Sequence, residues 1–476
     1  MDNTELCYLP ATEAAAAIRE RRLSPLEVVT AVLERIERLN PVLNAYCTVT
    51  ADEALAEARQ AETAVVRGNE LGPLHGVPIS IKDLIWTKGV RTTRGSRLFA
   101  NFVPDEDAPV VERVKQAGAI ILGKTNTSEF GFKATTDNLV FGATRNPWDT
   151  SRTPGGSSGG AGAAVAAGLG PLALGSDGGG SVRIPASFTG IFGLKPSAGR
   201  VPVYPPSPAG TLSHVGPMTR TVADAALLLD VVAGPDDRDR HSLPPAGISY
   251  RAIVQDGARK GQTKRLRGVH LAWSADLGYA EVDAEVKELA EAAAKRFADL
   301  GCRVEAANPG FPNPRESFLI LFFNGDGAML SAQSDRWREL VDPALVSAID
   351  RLGQFSAQDY ARATFTADTV WEAMRRFLTS FDALLTPTVA VPAFPVERIA
   401  PAEIAGQPAD SSDWLPFTYP FNLTGQPAAT VPAGFTRSGL PVGLQIVGRR
   451  HDDATVLRLA AAYEAAFPWA GRRPLV

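Results

Sequence analysis

The sequence predicts an α/β fold, a central β-sheet covered by helices. Two observations carry this. Short apolar or alternating runs with strand character are separated by longer segments with helical spacing of apolar residues, the succession in which strands and covering helices follow one another in α/β proteins. The chain also has 476 residues, 45% of them hydrophobic and 21% charged, an ordinary globular composition with enough apolar material for one large body or two to four smaller domains. No internal repeat or long disordered tract interrupts it.

Residues 11–39 place Ile18, Leu26, Val29, Val32, Leu33 and Ile36 at helical spacing, and Asn40-Pro41 predicts the stop. An alanine-rich polar helix is expected at 51–67. In LGPLHGVPISIKDLI, Val77, Ile79 and Ile81 alternate with Pro78, Ser80 and Lys82, a strand pattern that puts Ser80 and Lys82 on one face. Residues 108–117 read as a helix ended by Gly118, and AIIL (119–122) as a buried strand. GIFGLKPSAGRVPVYPPSP reads as loop, and 221–233 as a helix with Thr221 at its N-cap. From Gly234 to Lys264 the chain is polar and dotted with glycine and proline, which marks a connector. Beyond it come a strand at GVHLAW (268–273), a helix at 283–300 stopped by Gly301, a short strand at CRVE and helices around 313–331 and 356–380. Strands at DALLTP, AATVP and GLQIVG and a closing helix at 453–466 complete the chain.

The net charge is −4 and the lysines and arginines are scattered, so nothing points to nucleic acid or an anionic membrane. Cys7, Cys47 and Cys302 are few, odd in number and far apart. They predict reduced thiols in a cytoplasmic protein and neither a disulfide frame nor a metal set. The opening MDNTELCYLP lacks the basic and apolar regions of a secretory signal.

The least ordinary stretch is PGGSSGGAGAAVAAGLGPLALGSDGGGSVR, Pro154 to Arg183. Glycine clusters at its two ends imply close backbone approach, or N–H groups turned toward negative charge. Residues 153–176 are uncharged, but eight of the 24 are glycine and only Val165, Leu169, Leu172 and Leu174 are large and apolar. That is too little to drive membrane insertion. A small-residue helix at about 158–169 and a strand at about 171–176 are expected between the clusters.

Two motif matches fail on context. Gly118 to Thr125 fits the phosphate-loop pattern, yet its middle residues, Ala-Ile-Ile-Leu, form a strand where a loop should expose N–H groups. Gly156-Ser157-Ser158-Gly159-Gly160 fits the nucleophile elbow, but the preceding RNPWDTSRTP is no strand. The later histidines, His214, His241, His270 and His451, sit in ordinary loop or strand text. There is no Ser-x-x-Lys, HExxH, CxxC or EF-hand pattern.

Lys82, Ser157 and Ser181 remain. Singly each is unremarkable. With their flanks GVPISIKD, PGGSSGG and GSDGGGSVR they resemble the amidase signature family of serine hydrolases. GKTNTSEFG (123–131), FGATRNPWD (141–149), FTGIFGLKPSAGRV (188–201), GPMTRTVADAALLLD (216–230), FNLTGQPAATVPAG (421–434) and GLPVGLQIVG (439–448) resemble the family in its order. The likeness is weakest at 235–330 and 390–413.

The resemblance implies one fold over residues 1–476, a mixed sheet with helices on both faces. It has N-terminal helices (1–70), a catalytic core (71–234), a variable connector and helical substrate-side region (235–380), and C-terminal strands and helix (381–476). It implies Ser181 as nucleophile, Ser157 after a cis peptide bond as bridge, and neutral Lys82 as base, helped by the apolar company of Val77, Ile79, Ile81 and Leu84. Backbone N–H groups from Gly178, Gly179, Gly180 and Ser181 are the expected oxyanion donors. Family members usually carry a larger residue at the place of Gly178. Asp177 and Arg183 read as an internal ion pair, Ser158 as a brace and His214 as structural. Phe132, Tyr204, Phe318, Phe322 and Phe421, with Phe130 and Phe323, are candidate pocket aromatics.

The implied reaction is hydrolysis of a carboxamide C–N bond through an acyl-enzyme, without metal or cofactor, on small or apolar and aryl amides. Its partners are the amide and water, with a homodimer left open. A carbamate (urethanase) or ester hydrolase of the same family, and the A subunit of a glutamyl-tRNA amidotransferase, are the alternatives. A non-catalytic scaffold is disfavoured by the intact Lys82, Ser157 and Ser181.

Overall fold

Among the residues that the computed structural model describes, 2–258, 266–352 and 354–476, eleven strands pair into one mixed sheet. In chain order they are β1 (Tyr46–Val49), β2 (Pro78–Lys82), β3 (Ile120–Thr125), β4 (Leu172–Asp177), β5 (Phe192–Lys195) and β6 (His214–Thr219). They continue with β7 (His270–Trp273), β8 (Arg303–Ala306), β9 (Ala383–Pro387), β10 (Ala428–Phe435) and β11 (Pro441–Gly448). Across the sheet the order is β1-β3-β2-β4-β6-β5-β10-β11-β9-β7-β8. β2 runs parallel to β3 and β4, and β7 parallel to β8 and β9; the other neighbours are antiparallel.

The two-residue alternation of strands sorts the side chains. Ile79, Ile81, Leu172 and Leu174 enter the largest apolar core, under the helices Pro109–Gln116, Val222–Val232, Ala284–Asp299 and Asp453–Ala466. The opposite face carries Ser80, which pairs with Ala173, which pairs with Met218. Here the helix Gly159–Ala166 packs, Ala161, Val165 and Ala166 meeting Ala173 and Met218. Farther along this sheet, the helices Arg183–Thr189 and Ala357–Ser380 share a second core with Leu384, Ala428 and Val447. The helices Pro25–Leu43 and Ala51–Arg67 close the β1–β3 end.

The helix Gly159–Ala166 reads GGAGAAVA and is entirely buried. Glycine costs about 1 kcal/mol relative to alanine inside a helix, so packing, not propensity, holds it. A Cβ on Gly160 would overlap the backbone of Asn126 and Ala45; glycine lets the helix start abut the end of β3.

Departures from the sequence reading have local causes. The expected helix over 11–39 is two, Ala11–Arg19 and Pro25–Leu43. Ser24 caps the second: its Oγ accepts from Leu26 N–H (3.0 Å) and Glu27 returns a bond from Ser24 N–H (3.0 Å). Pro25 sits at the first turn, where a missing N–H costs nothing. The helix passes Pro41 and ends where Asn44 turns left-handed (φ 50°). β5 lies inside the stretch read as loop, and β6 has Pro217 paired with Leu174, a proline in a central strand that strand patterns reject. The connector contains a helix, Tyr250–Ala258, with Tyr250 and Val254 in the main core; its part at 259–265 lies outside the described residues. The helix around 313–331 breaks into Arg315–Phe323 and Asp326–Gln333 at Gly325, which lies against the backbone of Pro208. Among the described residues no helix is long and apolar enough to cross a membrane.

Candidate active site

Lys82 is the last residue of β2, and the alternation that buries Ile79 and Ile81 in the main core turns it to the opposite face. It is fully buried. Its Nζ donates to Ser157 Oγ (2.7 Å) and to Ser176 Oγ (2.9 Å), and lies 3.4 Å from Ser176 O. Burial pushes the ammonium down to about 7 from 10.5, against the opposing pull of the Asp177 charge. Half or more of the amine is therefore free base at and above neutral pH.

Ser157 follows the cis Gly156–Ser157 peptide. Thr136 Oγ1 lies within hydrogen-bond distance of the carbonyls of Gly155 (2.9 Å) and Ser157 (3.2 Å) and accepts from Gly159 N–H (2.9 Å), pinning this turn. Gly131 closes the other side: a Cβ there would lie 3.2 Å from Ser157 Oγ. Ser158 braces, as expected. Its Oγ donates to Ser176 O (3.1 Å) and accepts from Ser176 N–H (3.3 Å), and its N–H donates to Ser181 O (3.2 Å). That last bond sets the two serine-bearing turns side by side.

β4 delivers Asp177 and the loop 178–181. Burial alone would raise the Asp177 carboxyl, but the charge and hydrogen bonds of Arg183 override it and hold the group well below the usual carboxylate range. The Arg183 fork meets both carboxylate oxygens (3.0 and 2.9 Å) and also reaches Thr418 O, Gln445 Oε1 and Asn422 Oδ1. Asp177 in turn accepts from Gly180 N–H (2.7 Å) and Val182 N–H (3.2 Å). This corrects one expectation: the Gly180 N–H is committed to Asp177. Among the described residues, the N–H groups of Gly178, Gly179 and Ser181 have no acceptor, which leaves three donors where four were expected. Thr418 Oγ1 donates to Gly179 O (2.7 Å), fixing that peptide's orientation. The Ser181 side chain makes no hydrogen bond to a described residue and keeps 7% of the residue exposed.

The aromatic candidates separate. Phe318 and Phe322 lie on the glycine loop: a Cβ on Gly178 would meet Phe322 Cε2 at 2.8 Å, and one on Gly179 would meet Phe318 Cζ at 2.5 Å. The space opened by glycine at position 178 is thus filled by the Phe322 ring. Tyr204 lines a cavity with Leu84, Phe130 and Ser176, its hydroxyl donating to Glu106 (2.6 Å). Phe132 and Phe323 pack with the cluster around Leu330 and Trp337. Phe421 is a correction: it is fully buried in the second core and offers substrate no surface. Burial and the Lys195 charge push His214 down to about 3, so it stays neutral, with Nδ1 2.8 Å from Leu212 O.

Sequence reasoning missed Ser176, Thr418, Asn422 and Gln445. Gln445 left a signal, a lone amide within the apolar run of β11, where a polar residue needs partners. Ser176, at the end of an apolar strand beside the nucleophile loop, gave a weaker one.

Residues 27–457 match the amidase family. The chain belongs to the amidase signature family. It is 42% identical to an acylamidase of Rhodococcus erythropolis, over 100% of this chain and 98% of that protein. It is 36% identical to the A subunit of the glutamyl-tRNA(Gln) amidotransferase of Moorella thermoacetica, over 99% of each. Among solved structures it is similar to a bacterial aryl acylamidase of the amidase signature family, with a TM-score of 0.90, 32% identity and 98% and 97% of the two chains covered. This amidase signature protein is an amidohydrolase.

Proposed function

We propose that the protein is an acylamidase that cleaves carboxamide C–N bonds, aryl amides above all, through an acyl-enzyme on Ser181. The observation that carries this is the 2.7 Å contact between buried Lys82 Nζ and Ser157 Oγ, a neutral amine placed to take a hydroxyl proton. Ser157 receives the Ser181 proton as Lys82 takes its own, and Ser181 Oγ attacks the carbonyl carbon. The developing oxyanion meets the N–H groups of Gly178, Gly179 and Ser181, whose loop is preset by Asp177, Arg183 and Thr418. Ser157 then protonates the leaving amine, and water repeats the sequence on the ester.

The aryl preference draws support from Phe318 and Phe322 beside the glycine loop and from the names of the acylamidase relatives. A panel of aliphatic amides, anilides, dipeptide amides, carbamates and esters tests it. Anilides should give the highest kcat/KM, and turnover confined to carbamates or esters would defeat the reading. The amidotransferase relatives support a second reading, in which the chain feeds ammonia to a partner protein. Glutamine as sole substrate, with hydrolysis dependent on a co-purifying protein, would establish that one.

A further inference from the structure

The cavity beside the Lys82–Ser157 pair contains a cation that the proposed reaction does not use. Its walls include Leu84, Arg94, Phe130, Ser176, Tyr204 and Met329, and its volume is ≈ 80 Å³, room for about half a dozen water-sized atoms. Two of its lining residues, Ser176 and Leu84, neighbour the catalytic ones. Ser176, in its wall, is hydrogen-bonded to Lys82. Leu84, also in its wall, and Ser157 Oγ flank Gly131: a Cβ there would lie 3.1 Å from Leu84 Cδ1 and 3.2 Å from Ser157 Oγ.

Arg94 is fixed in this wall by its backbone. Its N–H donates to Asp83 O (3.1 Å), its carbonyl accepts from Phe130 N–H (2.9 Å), and its φ of 55° is uncommon for a non-glycine residue. The guanidinium lies 5.2 Å from the Phe99 ring centre and 4.0 Å from Met329 Sδ. Among the described residues no carboxylate forms an ion pair with it. The two acids on the flanking backbone make their hydrogen bonds to other groups: Asp83 Oδ2 accepts from Thr93 N–H and Oγ1, and Glu129 Oε2 accepts from Asp342 N–H, while Asp83 Oδ1 and Glu129 Oε1 have no hydrogen-bond partner among the described residues. Arg94 is half-buried, whereas the buried guanidiniums are supplied with oxygens, Arg183 by Asp177, Arg35 by Ala167 O and Arg220 by Val165 O. A half-buried cation that, among the described residues, has only a ring and a sulfur beside its guanidinium and no carboxylate is open to an anion from outside. The planar guanidinium fork suits a carboxylate in particular.

We propose that Arg94 binds a carboxylate carried by the substrate, so that amides bearing a carboxylate a few bonds from the scissile C–N bond are a preferred class. The proposal rests on the amidase reading for its substrate, and its test is built to fail separately. The affinities of two matched pairs are measured by calorimetry on Ser181→Ala protein: succinanilic acid against butyranilide, with the carboxylate on the acyl side, and 4-acetamidobenzoate against acetanilide, with it on the amine side. The same titrations are repeated with Arg94→Leu, Arg94→Gln and Arg94→Lys added. In at least one pair the acid should bind about 10- to 100-fold more tightly than its neutral partner. Leu and Gln should erase that preference and Lys retain part of it. Acids that bind no more tightly than neutral partners in both pairs, or a preference that survives Arg94→Leu, would overturn the proposal. Failure of the amidase reading would appear as the intact enzyme turning over none of the four compounds, a result independent of the binding comparison.

Discussion

Replacing Lys82 by methionine should destroy activity and strengthen the fold at neutral pH. The folded protein binds the Lys82 proton more weakly than the unfolded chain, with a value of about 7 against an ordinary 10.5. The unfolded chain therefore holds more protons throughout that window. The penalty on the native state is complete below pH 7 and is lifted as pH rises toward 10.5. Linkage puts it at about 4 kcal/mol at pH 7 and about 2 kcal/mol at pH 9. Methionine matches the stem and is never charged, but it withdraws a donor from Ser157 and Ser176, at about 1 kcal/mol each. The Lys82→Met protein should thus be about 2 kcal/mol more stable than its parent at pH 7 and roughly equal to it at pH 9. Urea unfolding of the two proteins side by side at pH 6, 7, 8 and 9 reads this directly, because other groups titrate in both and cancel in the difference. In the parent, kcat/KM should rise tenfold per pH unit up to about pH 7 and level off above it, as expected for a base that acts unprotonated. A stability difference that stays flat from pH 6 to 9, or a parent kcat/KM that falls through pH 7, would refute the assignment of Lys82 as a buried, neutral base.

Three further outcomes follow from the site. Ser181→Ala should lower kcat by at least about 10⁴-fold with an unchanged unfolding midpoint, and a fluorophosphonate should label the parent once, at Ser181, by mass spectrometry. Asp177→Asn removes the partner of a guanidinium that is itself fully buried. It should cost about 3–5 kcal/mol in unfolding experiments and also lower kcat, since Gly180 N–H loses its acceptor. Gly178→Ala pushes a methyl against Phe322 Cε2 and should reduce kcat/KM about tenfold; adding Phe322→Leu should restore most of it, a coupling of about 1 kcal/mol in a double-mutant cycle.

Much of the fold was legible because local pattern and tertiary environment agree. The helices at 51–67 and 453–466 occupy the residues their periodicity marks. β2 shows the alternation that sends Lys82 to one face and Ile81 to the other. What escaped was decided at long range. β5 and β6 are held by neighbours and not by propensity, and Pro217 in β6 lies just past the pairing with β5, which covers Met218 and Thr219, so its missing N–H deprives no ladder partner there. Lys82, Ser157 and Ser181 were readable from their flanking motifs. The division of the loop N–H groups between Asp177 and the free set was not, since it depends on side-chain direction. Phe421 misled because aromatic character alone cannot separate a pocket wall from a core, and Arg94 was passed over because a lone arginine is ordinarily a solvated charge.

The Arg183 fork also sets a schedule for biosynthesis. The nucleophile lies at residue 181, yet the groups that complete its brace, Thr418, Asn422 and Gln445, follow Arg183 by 235 to 262 residues. At about 5–20 residues per second the ribosome needs roughly 10–50 s to supply them. Throughout that interval the emerging chain carries Lys82, Ser157 and Ser181 without the contacts that shape the loop around them. A chain released before Gln445 is an unbraced triad, so hydrolytic competence arrives with the last strand of the sheet and not with the catalytic residues.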